Sequence, residues 1–225
     1  MTKKNIALME FESNPNIGLY MFVNDKFCIL GKDVNSSKKA EIEKILGVPV
    51  YFAKVLGTEL VGVFISGNNN FILIPEILEN EFSIFKEIAD KHNIDLIKIS
   101  DKFNTLGNNI CISENKIIIN AQYSKELISF LQKKTNINTI ISINKKEFNG
   151  IGAMCRYVNG MFFVSEEFEE KDLKKFISEI AGNGTVNSGS CYISSGLVGN
   201  NKGIILGSLC STIEIQNITE SLNYI

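Results

Sequence analysis

The sequence predicts an α+β ring of five β-β-α-β repeats with pseudo-five-fold symmetry, an α/β propeller closed by its own N-terminal strand. Three observations point there. Gly18, Gly62, Gly107 and Gly152 are spaced by 44, 45 and 45 residues, and 42 more residues lead to Ser194. A fixed period in this range is the mark of a repeat architecture. After each anchor the same order recurs, two short β-rich runs and then a segment of helical period. The last copy lacks a third strand, yet Ile6–Phe11 precedes Gly18 just as Val50–Val55 precedes Gly62. Joining that strand to the last copy leaves no sheet edge open. The expected repeats are residues 14–56, 57–100, 101–143, 144–183 and 184–225, plus the strand 5–11, and 1–225 forms a single domain.

The first copy reads as a strand Gly18–Val23, a turn Asn24-Asp25-Lys26 and a strand Phe27–Leu30. The second has Gly62–Ser66, Asn68-Asn69-Asn70 and Phe71–Ile74. The third has Ile110–Ile112, Ser113-Glu114-Asn115 and Ile117–Ile119. The fourth has Ala153–Cys155, Asn159-Gly160 and Met161–Val164. The fifth has Leu197-Val198, Asn200-Asn201-Lys202 and Ile204–Leu206. Apolar runs joined by Asn, Gly and Asp are hairpins. The second run of each is continuously apolar, which predicts burial on both faces.

Helical stripes follow each hairpin: Ile42/Ile45/Leu46, Phe82/Phe85/Ile88/Ala89, Leu127/Ile128/Leu131, Leu173/Phe176/Ile177/Ile180 and Ile215/Ile218/Leu222. The fourth stripe has the clearest i, i+3, i+4, i+7 spacing. Ser211 and Glu214 form a capping box for the last. Third strands are expected at Val50–Val55, Leu96–Ile99 and Ile140–Ile143, with a weak one at Ile177–Gly182.

Composition removes several functional classes. A chain 44% hydrophobic with a net charge of −2 is not disordered. With 23 Lys+Arg against 25 Asp+Glu it has no general attraction for phosphate. Its apolar runs fall far short of the ~20 residues that span a bilayer, and Glu10 and Glu12 break the N-terminal one, so neither membrane insertion nor a secretory signal is expected. The cysteines at 28, 111, 155, 191 and 210 are scattered without a C-x-x-C pair. That predicts reduced, mostly buried thiols in a cytoplasmic protein and no zinc site.

A closed five-fold array of this unit resembles the pentein fold. Gly184-Thr-Val-Asn-Ser-Gly189, Gly196-Leu-Val and Lys202-Gly203 resemble the translation initiation factor 6 family, the ribosome anti-association factors of archaea and eukaryotes. So do Leu106-Gly107-Asn108, the turn from Gly57 to Gly62, and Asn14 to Gly18. The resemblance runs the length of the chain, which stops where archaeal members stop. It implies a monomer that binds the large ribosomal subunit, through ribosomal proteins with marginal contact to the sarcin–ricin region of its RNA, and sterically blocks the small subunit. Two positions depart from the family: Ser188 stands where a basic residue is usual, and Ser194 where glycine is usual. The second predicts a shifted or strained turn in the fifth copy.

Some pentein relatives modify guanidino groups with a cysteine nucleophile and a histidine, which makes such an enzyme the alternative. That chemistry needs a base beside the thiol. The one histidine, His92, falls at the end of the second helix, away from Cys191 and Cys210. The Gly182–Ser190 segment has serine where a phosphate loop needs lysine. Glu166-Glu167 and Glu169-Glu170 read as a solvated helix start. No catalytic, cofactor or metal residue is therefore expected. What remains is a binding surface. Each copy carries a polar loop before its anchor, and pseudo-symmetry gathers these loops at one end of the ring. The candidate interface residues are Asn14, Asn16, Thr58, Glu59, Asn104, Asn108, Asn149, Thr185, Asn187 and Ser188. Their uncharged donors and acceptors suit a protein or mixed protein–RNA partner.

Overall fold

The computed structural model describes residues 5–32, 36–145 and 150–225. The chain opens with β1 (Asn5–Met9). Blade one holds β2 (Met21–Val23), β3 (Cys28–Gly31), helix α1 (Lys39–Leu46) and β4 (Val50–Ala53). Blade two holds the helical turn α2 (Val61–Phe64), β5 (Ser66–Gly67), β6 (Phe71–Pro75), α3 (Phe82–Lys91) and β7 (Asp95–Ile99). Blade three holds α4 (Leu106–Asn109), β8 (Ile110–Ile112), β9 (Lys116–Asn120), α5 (Lys125–Thr135) and β10 (Thr139–Ile143). Blade four holds β11 (Cys155–Val158), β12 (Met161–Ser165), α6 (Glu170–Leu173) and β13 (Ile180–Gly184). Blade five holds α7 (Ile193–Gly196), β14 (Leu197–Gly199), β15 (Gly203–Gly207) and α8 (Thr212–Ser221).

Each blade is a three-stranded sheet whose middle strand is the second arm of the hairpin. The first arm pairs with it antiparallel. In blades one to four the third strand returns over the helix to pair in parallel. Blade five takes its third strand from the other end of the chain. β1 runs parallel to β15 from Asn5 opposite Gly203 to Met9 opposite Gly207, which closes the ring as expected.

The middle strands are buried on both faces because each feeds two cores. Cys28 and Leu30 of β3 pack with Ile42, Leu46 and Ile205, whereas Phe27 and Ile29 pack with Ile72, Phe85 and Ile88 of the next blade. Five such clusters alternate with the sheets. The hairpin turns are linked by buried amides: Asn24 Nδ2 donates to Asn68 O (3.0 Å), Asn68 Nδ2 to Ser113 O (2.9 Å) and Asn200 Nδ2 to Asn24 O (3.1 Å). Each of these amides joins one blade to the next.

Three expectations are corrected. The anchor glycines do not begin strands. Gly18 and Gly152 sit in 3-10 turns and Gly62 and Gly107 in α2 and α4, all packed around the axis. A Cβ on Gly62 would come closer than 3.0 Å to the Gly18 carbonyl oxygen, and one on Gly107 to that of Gly62. Close approach of backbones therefore sets the period. The fourth helical stripe is mostly not helix. α6 ends at Leu173, Ile177 is exposed in a 3-10 turn, and Ile180 belongs to β13. This copy is the shorter one, and the parallel pairing of β13 with β12 claims the residues that would extend the helix. Finally, the turn at Ser194 is not shifted: Ser194 is the second residue of α7 as Gly107 is of α4, and Tyr192 enters with φ −85° and ψ 76°, close to the −87° and 72° of Thr105.

Candidate functional site

Parts of the loops before the first, third and fifth anchors meet at one end of the ring, together with Gly150 before the fourth, whereas the loop before the second stands apart. Asn16, Thr105, Asn108, Ser190, Tyr192 and Ser195 line a mouth of about 800 Å3 there, with Phe103 and Gln122 alongside and no ionisable carboxylate or ammonium among the described residues of its wall. Three of the loops turn through left-handed residues, Glu12-Ser13, Leu56-Gly57 and Asn187-Ser188-Gly189. The flanking backbone closes each turn, with Phe11 bridged to Asn14, Val55 to Thr58 and Val186 to Ser190.

Several predicted residues form one network across the ring seam. Asn14 Oδ1 accepts from the Asn16 backbone N–H (2.9 Å), and Asn14 Nδ2 donates to the Tyr20 hydroxyl (2.9 Å). Asn187 Nδ2 donates to Pro15 O (3.1 Å) and Asn16 Oδ1 (3.3 Å), and Ser195 Oγ donates to the same Asn16 oxygen (3.1 Å). Asn108 lies in the mouth wall beside Thr105. Thr58 and Glu59 do not join this group. Thr58 Oγ1 donates to Val55 O (2.8 Å) within its own turn, and Glu59 pairs with Lys54 at 3.7 Å. Asn104 accepts from the Leu106 N–H through its backbone (3.1 Å) and is absent from the mouth wall. Asn149 lies outside the described residues.

The fifth loop is held from beneath by Glu214. Its Oε1 accepts from Thr185 Oγ1 (2.8 Å) and the Gly189 N–H (2.9 Å), and its Oε2 from the Ser188 N–H (3.1 Å) and the Ser211 N–H (2.7 Å). Burial pushes this carboxyl up, but the N–H groups of Ser211 and Gly189, the Thr185 hydroxyl and the Ser188 N–H outweigh it and hold it below the ordinary range. The capping-box glutamate thus also fixes the Thr185–Gly189 turn. Sequence reading found its helix-capping role and missed the loop, because only the fold brings Ser188 to it. Exposed Leu56, Leu209 and Tyr192 were missed as well. The left-handed Leu56-Gly57 turn that displays Leu56 was legible only as a polar loop.

Nucleophilic chemistry finds no relay here. His92 Nε2 meets the Tyr51 hydroxyl at 2.9 Å, and its ring lies 4.8 Å from that of Phe27. Burial, Lys91 and Lys26 hold its pKa below the usual imidazole value. Burial pushes the Cys191 and Cys210 thiols up, away from the thiolate a nucleophile requires. Among the described residues no group of three His, Cys, Asp or Glu side chains could hold a metal.

A family model described as the eIF-6 family matches residues 6–221. The chain belongs to the eIF-6 family. Among curated relatives, the translation initiation factor 6 of Saccharolobus islandicus is 29% identical over 222 residues, spanning 97% of this chain and 99% of the relative. That of Nitrosopumilus maritimus is 32% identical over 223 residues, spanning 96% and 98%. Solved structures share the fold at low identity. The N-terminal domain of a cyanobacterial arginine dihydrolase, bound to substrate, has a TM-score of 0.52 at 11% identity, covering 92% of this chain and 73% of that one. A citrulline complex of a DDAH from Pseudomonas aeruginosa has 0.50 at 13%, covering 90% and 71%. Both place the family on the pentein fold. Among the described residues no helix is long and apolar enough to cross a membrane.

Proposed function

We propose that this chain binds the large ribosomal subunit and sterically prevents the small subunit from joining. The observation that carries the proposal is the family match over residues 6–221, with curated relatives that are translation initiation factors. The geometry supports it. The closed ring of blades and the shared cores make the chain one stiff disc over its described residues, working as a cytoplasmic monomer. The described residues of the mouth offer amides, hydroxyls and an exposed Tyr192 rather than charge. Such a wall favours ribosomal proteins as the main contact, with ribosomal RNA at the margin. The disc acts by occupying space, with His92 paired to Tyr51 rather than to a thiol.

Sucrose-gradient sedimentation tests this. The chain is expected to travel with free large subunits, to be absent from joined ribosomes, and to lower the joined fraction when added. Failure to travel with large subunits overturns the proposal. Ser188→Lys refines it: if the fifth loop reaches RNA, binding tightens and its salt dependence steepens by up to about one counterion. Unchanged binding assigns that loop to structure.

A further inference from the structure

The ring axis holds a charge that no carboxylate among the described residues matches. Arg156 is the only arginine among the 23 Lys+Arg residues of the chain. It lies on β11 and helps line an axial cavity of about 50 Å3, partly accessible along that cavity. Its Nε is shut off from solvent and has no hydrogen-bond partner. Counted from the anchors, the equivalent positions carry Phe22, Ser66, Cys111 and Val198, so a single blade places a cation on the axis. Among the described residues no carboxylate pairs with this guanidinium. The ionisable groups around it are the thiols of Cys111, Cys28 and Cys155.

A guanidinium keeps its proton inside a protein, so the charge persists. A charge drawn partly out of water without a partner is costly to a fold. Burial pushes the thiols of Cys28 and Cys155 up and keeps them neutral, while the hydrogen bond from Cys155 and then Arg156 hold that of Cys111 down against burial, which makes Cys111 the one competitor for the balancing charge. The first arm of every hairpin is also an end strand of its sheet, which leaves backbone N–H groups directed away from the ladder. The cavity shares Gly18, Gly62 and Ser194 with the wall of the mouth, and Gly67 and Tyr157 with a recess at the hairpin turns.

We propose that the axial cavity binds a small inorganic anion of chloride size, held by the guanidinium of Arg156. Size selects the class. One water needs roughly 10–15 Å3 of such space, so the cavity takes a chloride and a water or two but no organic phosphate. The inference is independent of ribosome binding.

Thermal unfolding tests it, with chloride replacing the bulkier gluconate at constant ionic strength. The melting temperature is expected to rise about 3–5 °C for each tenfold of chloride above its dissociation constant, by mass action in a chain of this length. Arg156→Met removes that rise, and Arg156→Lys keeps part of it. Should the methionine variant fail to fold, bromide-soaked crystals of the unaltered chain decide, with an anomalous peak expected within hydrogen-bond reach of Nε. The proposal is overturned by a melting temperature indifferent to chloride, by an equal rise in Arg156→Met, or by an axis without bromide. It is also overturned by an ultraviolet thiolate band in chloride at neutral pH that Cys111→Ser abolishes, since that thiol would then carry the balancing charge.

Discussion

Replacing Glu214 with glutamine keeps the shape of the side chain and removes its charge. The carboxylate accepts four hydrogen bonds, two on each oxygen, from Thr185, Gly189, Ser188 and Ser211. An amide keeps one accepting oxygen and turns an NH2 group toward two donors, so two bonds are lost whichever way it lies. Bonds to a charged acceptor are worth about 1.5–3 kcal/mol each. Water can reach the exposed Ser188 and Gly189, which brings the expected loss to about 2–4 kcal/mol in all. In a chain of this length that lowers the melting temperature by about 5–10 °C. The folded pKa of Glu214 is depressed, so its contribution is complete above the ordinary carboxyl value of 4.5 and fades as pH falls through the lower folded value. Calorimetry at pH 7 should therefore separate Glu214→Gln from the parent chain, and calorimetry near the acid limit of folding should not. Melting within a degree of the parent at pH 7, or a gap undiminished in acid, would refute the role given to this carboxylate.

Other expectations follow from the ring. Gly62→Ala forces a methyl against the Gly18 carbonyl and should cost about 3 kcal/mol or more in urea unfolding, by overpacking. Gly160→Ala, at φ +83° with open space around it, should cost only about 1–2 kcal/mol; equal costs would argue against packing at the anchors. The His92 imidazole should titrate below 6.5 by NMR, because burial and then Lys91 and Lys26 disfavour its charged form. Since the lowered folded pKa favours the neutral ring, its small contribution is present above 6.5 and fades on acidification, and an upward shift would contradict the contacts described. Removal of residues 1–9 exposes β15, and the shortened chain should lose cooperative unfolding or self-associate; a synthetic peptide of residues 1–11 should restore the monomer.

The parts of the fold that repeat were legible. Five continuous apolar runs gave the middle strands, and the absent last strand located the closure, because both depend on patterns that local chemistry enforces. The error at Leu173 to Ile180 came from a stretch whose apolar spacing suits a helix while its partner strand β12 demands a ladder. Periodicity does not rank those two demands. At the candidate site, the placing of Asn16 and Asn108 in one mouth and the contact of Asn187 with Asn16 followed from symmetry. Glu214 beneath the loop and Arg156 on the axis were invisible because each acts through residues distant in sequence. For Arg156 one signal did exist, a single guanidinium in a chain that otherwise uses lysine.

The pairing of β1 with β15 also imposes an order on biosynthesis. The strand that emerges first must wait for almost the last one to be made, and until then it has no partner in its sheet. Four blades can assemble while the chain is still being translated, but the fifth can be completed only after β15 has left the exit tunnel. The nascent chain therefore carries an unsatisfied leading strand, with exposed Ile6 and Leu8, through nearly all of its synthesis.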